Sequence, residues 1–211
     1  MTPAQNDHER DQLTEGADRR LVEIVHRIES EARLDGPAGL VERVSRPLEA
    51  PGPNRILSGA WLGHALHPLM TDFPLGAWMS ATLLDLVGGK RSRPAAQGLV
   101  AFGLAAAVPT VASGLVEWRR TSKPDGRVGV VHAVTNTVAA SCYARSMLPR
   151  ARGRGFRAAA WSVTGGLLAT AGGYLGGHLS IARKVGSRDA DLTEPRSPNG
   201  AGRAEGAPTG R

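Results

Sequence analysis

The 211-residue chain is poor in several things. It has one cysteine, three lysines against 23 arginines, and aromatic side chains at only 4% of positions. A single cysteine excludes an internal disulfide framework, a thiolate-held iron–sulfur cluster and a cysteine-rich zinc site. Cys142 lies in an apolar stretch and is expected to be a small buried hydrophobe. The first 60 residues hold no apolar run long enough for a cleavable signal, so insertion is expected to be directed by the first apolar span itself. Neither a phosphate-binding Gly-x-x-x-x-Gly-Lys loop nor a Gly-x-Ser-x-Gly elbow is present. No independent catalytic activity is expected.

The net charge of +7 and the sequence pI near 10.6 invite a nucleic-acid reading. The distribution of the charges argues against it. Residues 1–60 carry 11 acids and 8 bases, and residues 61–211 carry 8 acids and 18 bases. The later bases come in short clusters that punctuate four apolar stretches, as in membrane-protein loops. The mean hydropathy of −0.19 hides this, because polar ends dilute an apolar middle.

The expected architecture is all-α: an integral membrane four-helix bundle preceded by a short amphipathic helical hairpin. Residues 1–18 read as a disordered N-terminus and 19–54 as the amphipathic segment. Residues 55–186 read as the four-span domain, and 187–211 as a disordered tail. In the hairpin, Leu21, Val25 and Ile28 share a face at helical spacing. A second helix is expected to start near Pro37 with Leu40, Val41, Val44 and Leu48 on one side, before Pro51-Gly52-Pro53-Asn54 breaks the chain. The hairpin packs on the membrane domain, or else docks a partner or a lipid surface. The spans are expected near 68–88, 95–116, 128–147 and 158–182, each long enough for a bilayer core of roughly 30 Å. Trp61, Trp118 and Trp161 fall near span ends, as interfacial anchors do. Pro109 is expected to kink the second span, and Asp85 to pair with the Lys90, Arg91 and Arg93 cluster.

Alternating spans bring several polar residues to one face. His64 and His67 precede the first span, His132 lies about a turn into the third, and His178 closes the fourth. Asp72, Glu117 and Asn136 join them, and Tyr174 stands one turn before His178. Polar groups at membrane depth are costly and usually serve a purpose. Imidazoles with nearby carboxylates form the ligand set of metals and haem irons. His132 and His178 are therefore the expected cofactor ligands, for haem b or a metal. His64 and His67 form a second pair, and Asp72, Glu117 and Asn136 support them. The plainer reading makes these histidines caps and interhelical hydrogen bonds. Three functions stay open: a redox module, a membrane anchor for a partner, and a small proton or ion conduit. Span four carries Gly172/Gly176 and Gly173/Gly177, read as close helix approach or as room for a flat cofactor.

The run GHALHPLMTDFPLGAW (63–78), then LLDLVGG (83–89), SGLVEW (113–118), VHAVTN (131–136) and GGYLGGH (172–178), resembles the bacterial four-span membrane family catalogued as domain of unknown function 2231. The resemblance covers roughly 55–188. It implies a multi-pass protein of the bacterial inner (plasma) membrane. Some relatives carry a Rieske-type iron–sulfur domain after the last span, which implies an electron-transfer context. This chain has no such ligand set, so a redox partner would be a separate iron–sulfur or other redox protein. Asp72 stands where many family members have histidine. Besides the lipid bilayer, a homo-oligomer is a further partner reading, and no nucleic acid is expected. Ten basic residues flank the spans on the side of the termini and eight on the other, which does not fix orientation. The long N-terminal segment favours cytoplasmic termini.

Overall fold

The computed structural model describes residues 19–118 and 121–186. Both expected tails, 1–18 and 187–211, lie outside the described residues. The described residues are helical throughout, with no strand. Three short helices come first: α1 (19–30), α2 (Asp35–Ser45) and α3 (Pro51–Leu57). Four long ones follow: α4 (Leu66–Val87), α5 (Arg93–Glu117), α6 (Lys123–Ala151) and α7 (Gly155–Gly177). A π-helical turn, His178–Ala182, extends α7.

Local chemistry sets these boundaries. Ser122 caps α6 through a capping box with Asp125, each side chain bonding the other's backbone N–H. Gly89 (φ 67°) and Gly153 (φ 68°) supply the left-handed turns that separate α4 from α5 and α6 from α7. Pro51 starts α3, where its missing N–H costs nothing, so Pro-Gly-Pro-Asn opens a helix instead of breaking the chain. α2 likewise begins at Asp35, two residues before Pro37. Its inward side is not the expected one: Leu40 and Val44 are exposed, while Ser45 is buried. In α1, Val25 is buried and Ile28 packs beside it against Val128, Leu175, Val131 and Leu179, whereas Leu21 is exposed.

The four long helices follow one another around a common centre: α4 packs on α5 and α7, and α6 packs on α5 and α7. Their bulk faces outward. Leu83, Leu86, Phe102, Val108, Val111, Val134 and Leu167 are all exposed, while Ser113, Ser146, Ser162 and Thr82 are buried. α5 is long and apolar enough to cross a membrane by length and composition, and only 28% of its apolar window is buried, unlike the core helix of a soluble protein. α4 and α6 carry charges that lower their hydropathy, and α7 is built largely of glycine, alanine and serine or threonine.

Three proline-bearing helices stay continuous. α4 runs through Pro74, α5 through Pro109 and α6 through Pro149. Proline has no N–H to offer the carbonyl four residues back. For Pro74 that carbonyl is Met70 O, and Thr110 Oγ1 of α5 donates to it at 3.0 Å.

The α4–α5 and α6–α7 hairpins make the same contacts in the same register. Tyr143 stands 65 residues after Trp78, and Arg150 the same distance after Asp85; His132 bears that relation to His67. Each residue meets its counterpart. The His67 and His132 rings lie edge to face at 6.2 Å, Trp78 and Tyr143 stack at 4.8 Å, and Asp85 and Arg150 form an ion pair. A Cβ on Gly103 would strike Trp78, and one on Gly165 would strike Tyr143. Gly114 likewise abuts His67, and Gly176 abuts His132. Thr71 bonds the His67 carbonyl, and Asn136, at the matching position, bonds the His132 carbonyl, both at 2.9 Å. The two helical hairpins thus match contact for contact, each placing equivalent residues opposite one another at the centre of the bundle.

Candidate functional site

His67 sits in the first turn of α4 and His132 in the third turn of α6, which places both near the end that carries α1 and α2. His67 Nδ1 lies 2.9 Å from the Thr110 carbonyl of α5. His132 Nδ1 lies 2.9 Å from the Gly172 carbonyl of α7. A carbonyl only accepts, so each Nδ1 carries the proton and donates. Each Nε2 then keeps an acceptor lone pair, as in metal-binding histidines fixed by a backbone carbonyl, and on His132 that nitrogen lies 3.5 Å from Asn136 Nδ2. Gly114 and Gly176 give the two rings their places, since a Cβ on either would come within 2.9 Å of imidazole Cε1. Gly172 makes room for Asn136, whose carboxamide would lie 2.5 Å from an added Cβ. The Gly172/Gly176 notch is therefore filled by Asn136 and His132, whereas Gly173 and Gly177 face open space.

The other expected site residues are placed differently. His178 closes α7, yet it turns to α1, where Nε2 lies 3.1 Å from Glu29 Oε1. It does not share a site with His132. His64 and Asp72 are exposed, as is Tyr174. Glu117 is buried at the end of α5, beside Gly186. Among the described residues, no three His, Cys, Asp or Glu side chains converge to hold a metal ion.

Around Glu29 is a polar knot that the histidine pattern alone did not reveal. Glu29 receives His178 and His26, each at 3.1 Å, and faces Arg183 at 3.7 Å. Arg183 also donates to Asp125 at 2.6 Å, and Arg127 makes a two-pronged bond to Asp35. Burial pushes the Glu29 carboxyl upward, but the hydrogen bonds from His178 and His26 and the Arg183 charge outweigh it and hold the group below its ordinary value. Asp125 follows the same logic: burial raises it, and Ser122 and Arg183 bring it below the usual range. Sequence spacing could not have found the whole knot, because only His26 is a near neighbour of Glu29, while His178 and Arg183 lie far along the chain.

At the opposite end, Asp85 pairs with Arg150 and not with the expected Lys90, Arg91 and Arg93 cluster. Both side chains are buried, at 6% and 4% exposure, and Arg150 also donates to Ser162 Oγ at 2.8 Å. Thr82 Oγ1 and the Tyr143 hydroxyl meet one layer inward at 2.8 Å. Cys142 is buried, as expected.

Long helices with apolar residues outside and polar pairs within make up the membrane class of all-α proteins. The chain belongs to the family described as predicted membrane protein, DUF2231, whose model matches residues 63–189. No curated protein and no solved structure matches the chain.

Proposed function

We propose that α4 to α7 span the bacterial plasma membrane as a multi-pass four-helix bundle, with both termini cytoplasmic, and that the His67–His132 pair holds a redox cofactor. Haem b or a metal ion supplies the electron chemistry in this reading, and a separate iron–sulfur or other redox protein exchanges the electrons. One observation supports it: both Nδ1 atoms are tied to backbone carbonyls, which leaves two Nε2 lone pairs on α4 and α6, the helices that face each other across the bundle. His132 keeps the role expected from its sequence position, and His67 replaces His178 as its partner. Asn136 and Thr71 bond the backbone carbonyls of His132 and His67 from one turn further along each helix.

The test is an absorption spectrum of detergent-purified protein, oxidised and dithionite-reduced, with elemental analysis of the same sample and haem supplied during expression. A Soret band that shifts on reduction, or a near-stoichiometric metal, is expected. Loss of the cofactor in His67→Ala and in His132→Ala, with retention in His178→Ala, would assign the ligands. Cofactor retained in both of the first two variants would overturn the assignment.

The docking of α1 favours a second reading, a membrane scaffold whose N-terminal helices hold a partner. A colourless, metal-free protein, with partner capture lost on deleting residues 19–48, would establish it.

A further inference from the structure

The two ends of the long helices treat their arginines differently. At the end carrying α1, Arg127 and Arg183 meet carboxylates. At the other end, Asp85 is the one acidic residue of the helix ends and their loops, and Arg150 already neutralises it. Arg145, Arg152, Arg154 and Arg157 remain around a cleft of about 120 Å³ between the end of α6 and the start of α7, with Trp161 as one wall. Among the described residues, no carboxylate forms an ion pair with any of the four. α7 begins in their midst with no acidic residue in its first turn. Arg145 lies over the Trp161 ring at 5.9 Å, which holds its guanidinium at the rim.

Four guanidiniums around one small cleft repel each other unless an anion sits among them. The planar two-pronged donors of arginine match the oxygens of carboxylates and phosphates, and phosphate is the anion that a lipid surface presents. Apolar surface is close by: Leu148, which lines the cleft, is 42% exposed, and Phe156, the chain neighbour of Arg157, is 88% exposed. A phosphate seated there would have hydrocarbon next to it.

We propose that this arginine cleft binds a phosphate group, that of an anionic phospholipid headgroup, with the acyl chains lying along Phe156 and Leu148. The lipid assignment rests on the membrane-spanning reading, whereas the phosphate site rests on the cleft alone. Arg152, Arg154 and Arg157 provide the donors, and Arg145 with Trp161 closes the outer edge.

The test uses the full chain in neutral detergent, titrated separately with phosphatidylglycerol, phosphatidylcholine and inorganic phosphate, with binding followed by native mass spectrometry and thermal melting. Selective retention of phosphatidylglycerol is expected. Removing three arginines in Arg152→Gln/Arg154→Gln/Arg157→Gln should weaken it by on the order of fivefold each, so roughly a hundredfold together. The control Arg43→Gln/Arg46→Gln/Arg55→Gln removes the same charge from the opposite end and should keep full selectivity. Equal binding of both lipids, or equal loss in the control, would overturn the site. Inorganic phosphate binding with no lipid preference would keep the phosphate site and overturn the lipid assignment. Recovery of the triple variant in the carbonate-washed membrane fraction, together with a melting temperature in phosphatidylcholine equal to that of the parent, separates loss of the site from failure of the membrane-spanning reading or of folding.

Discussion

Asp85 and Arg150 are expensive side chains to leave alone. Each is more than nine-tenths buried, and each satisfies the other's charge with two parallel hydrogen bonds. Removing one partner strands the other in an apolar setting. Asp85→Ala and Arg150→Ala should each destabilise the protein by about 3–5 kcal/mol, read as a drop in melting temperature in detergent. The exchange Asp85→Arg/Arg150→Asp should recover at least half of that loss. It would not recover all of it, because the bond from Arg150 to Ser162 belongs to a guanidinium on α6. No recovery in the exchange would mean that the ion pair is not what holds this layer. The glycines opposite Trp78 and Tyr143 show another single-residue effect. They stand where an aromatic ring occupies the space of a side chain, and their role is invisible until the partner helix is in place.

Among the elements, α1 is held by one small apolar contact and by charge. Val25 and Ile28 supply its apolar contact, and Glu29 supplies the polar one. The Glu29 carboxyl sits below its ordinary value of 4.5 in the folded protein. The stability it contributes is therefore present above that value and is lost as pH falls through the lower folded value. Asp125, which receives Arg183, and Asp35, which receives Arg127, shift the same way. Hydrogen exchange over residues 19–30 should stay slow from neutral pH to about 4.5 and rise below it, before the long helices open. Glu29→Gln should give fast exchange in α1 already at neutral pH, and unchanged exchange in that variant would remove Glu29 from this role. The long helices were legible in the sequence because apolar runs of that length are rare and their ends carry glycine, proline or basic residues. The small helices were less so. Leu40 and Val44 match an amphipathic spacing but face outward, since α2 is rotated by its contacts with α5 and α6. The site was half legible. The clustering of histidines at one end followed from alternating helix direction. Which two would meet depended on helix rotation and on a carboxylate in α1, and neither is written in local spacing.

For the whole molecule, the outward turn of the bulky residues determines where the protein resides. Val108 and Leu167 are 70% and 69% exposed near the middles of α5 and α7. An arginine at either position would cost little in water, where the side chain faces outward. At the centre of a bilayer it costs about 2.5–3.5 kcal/mol on insertion scales. Val108→Arg and Leu167→Arg combined should therefore shift the protein out of the carbonate-resistant membrane fraction, while Arg91→Gln should leave it there. A double variant that still fractionates with the membrane would place these faces away from lipid.

The matched hairpins have a consequence for the ancestry of the chain. A down-and-back pair of helices ends on the side where it began, so a second copy joined behind it starts out in the same direction. Fusion then needs no inversion, and every residue at the shared centre starts out facing its own twin. Two histidines face each other without conflict, and so do two aromatic rings. Two aspartates or two arginines at the level of Asp85 and Arg150 would have repelled each other. The opposite charges now found there require the two halves to have diverged, and a half that needs its unlike neighbour can no longer pair with itself.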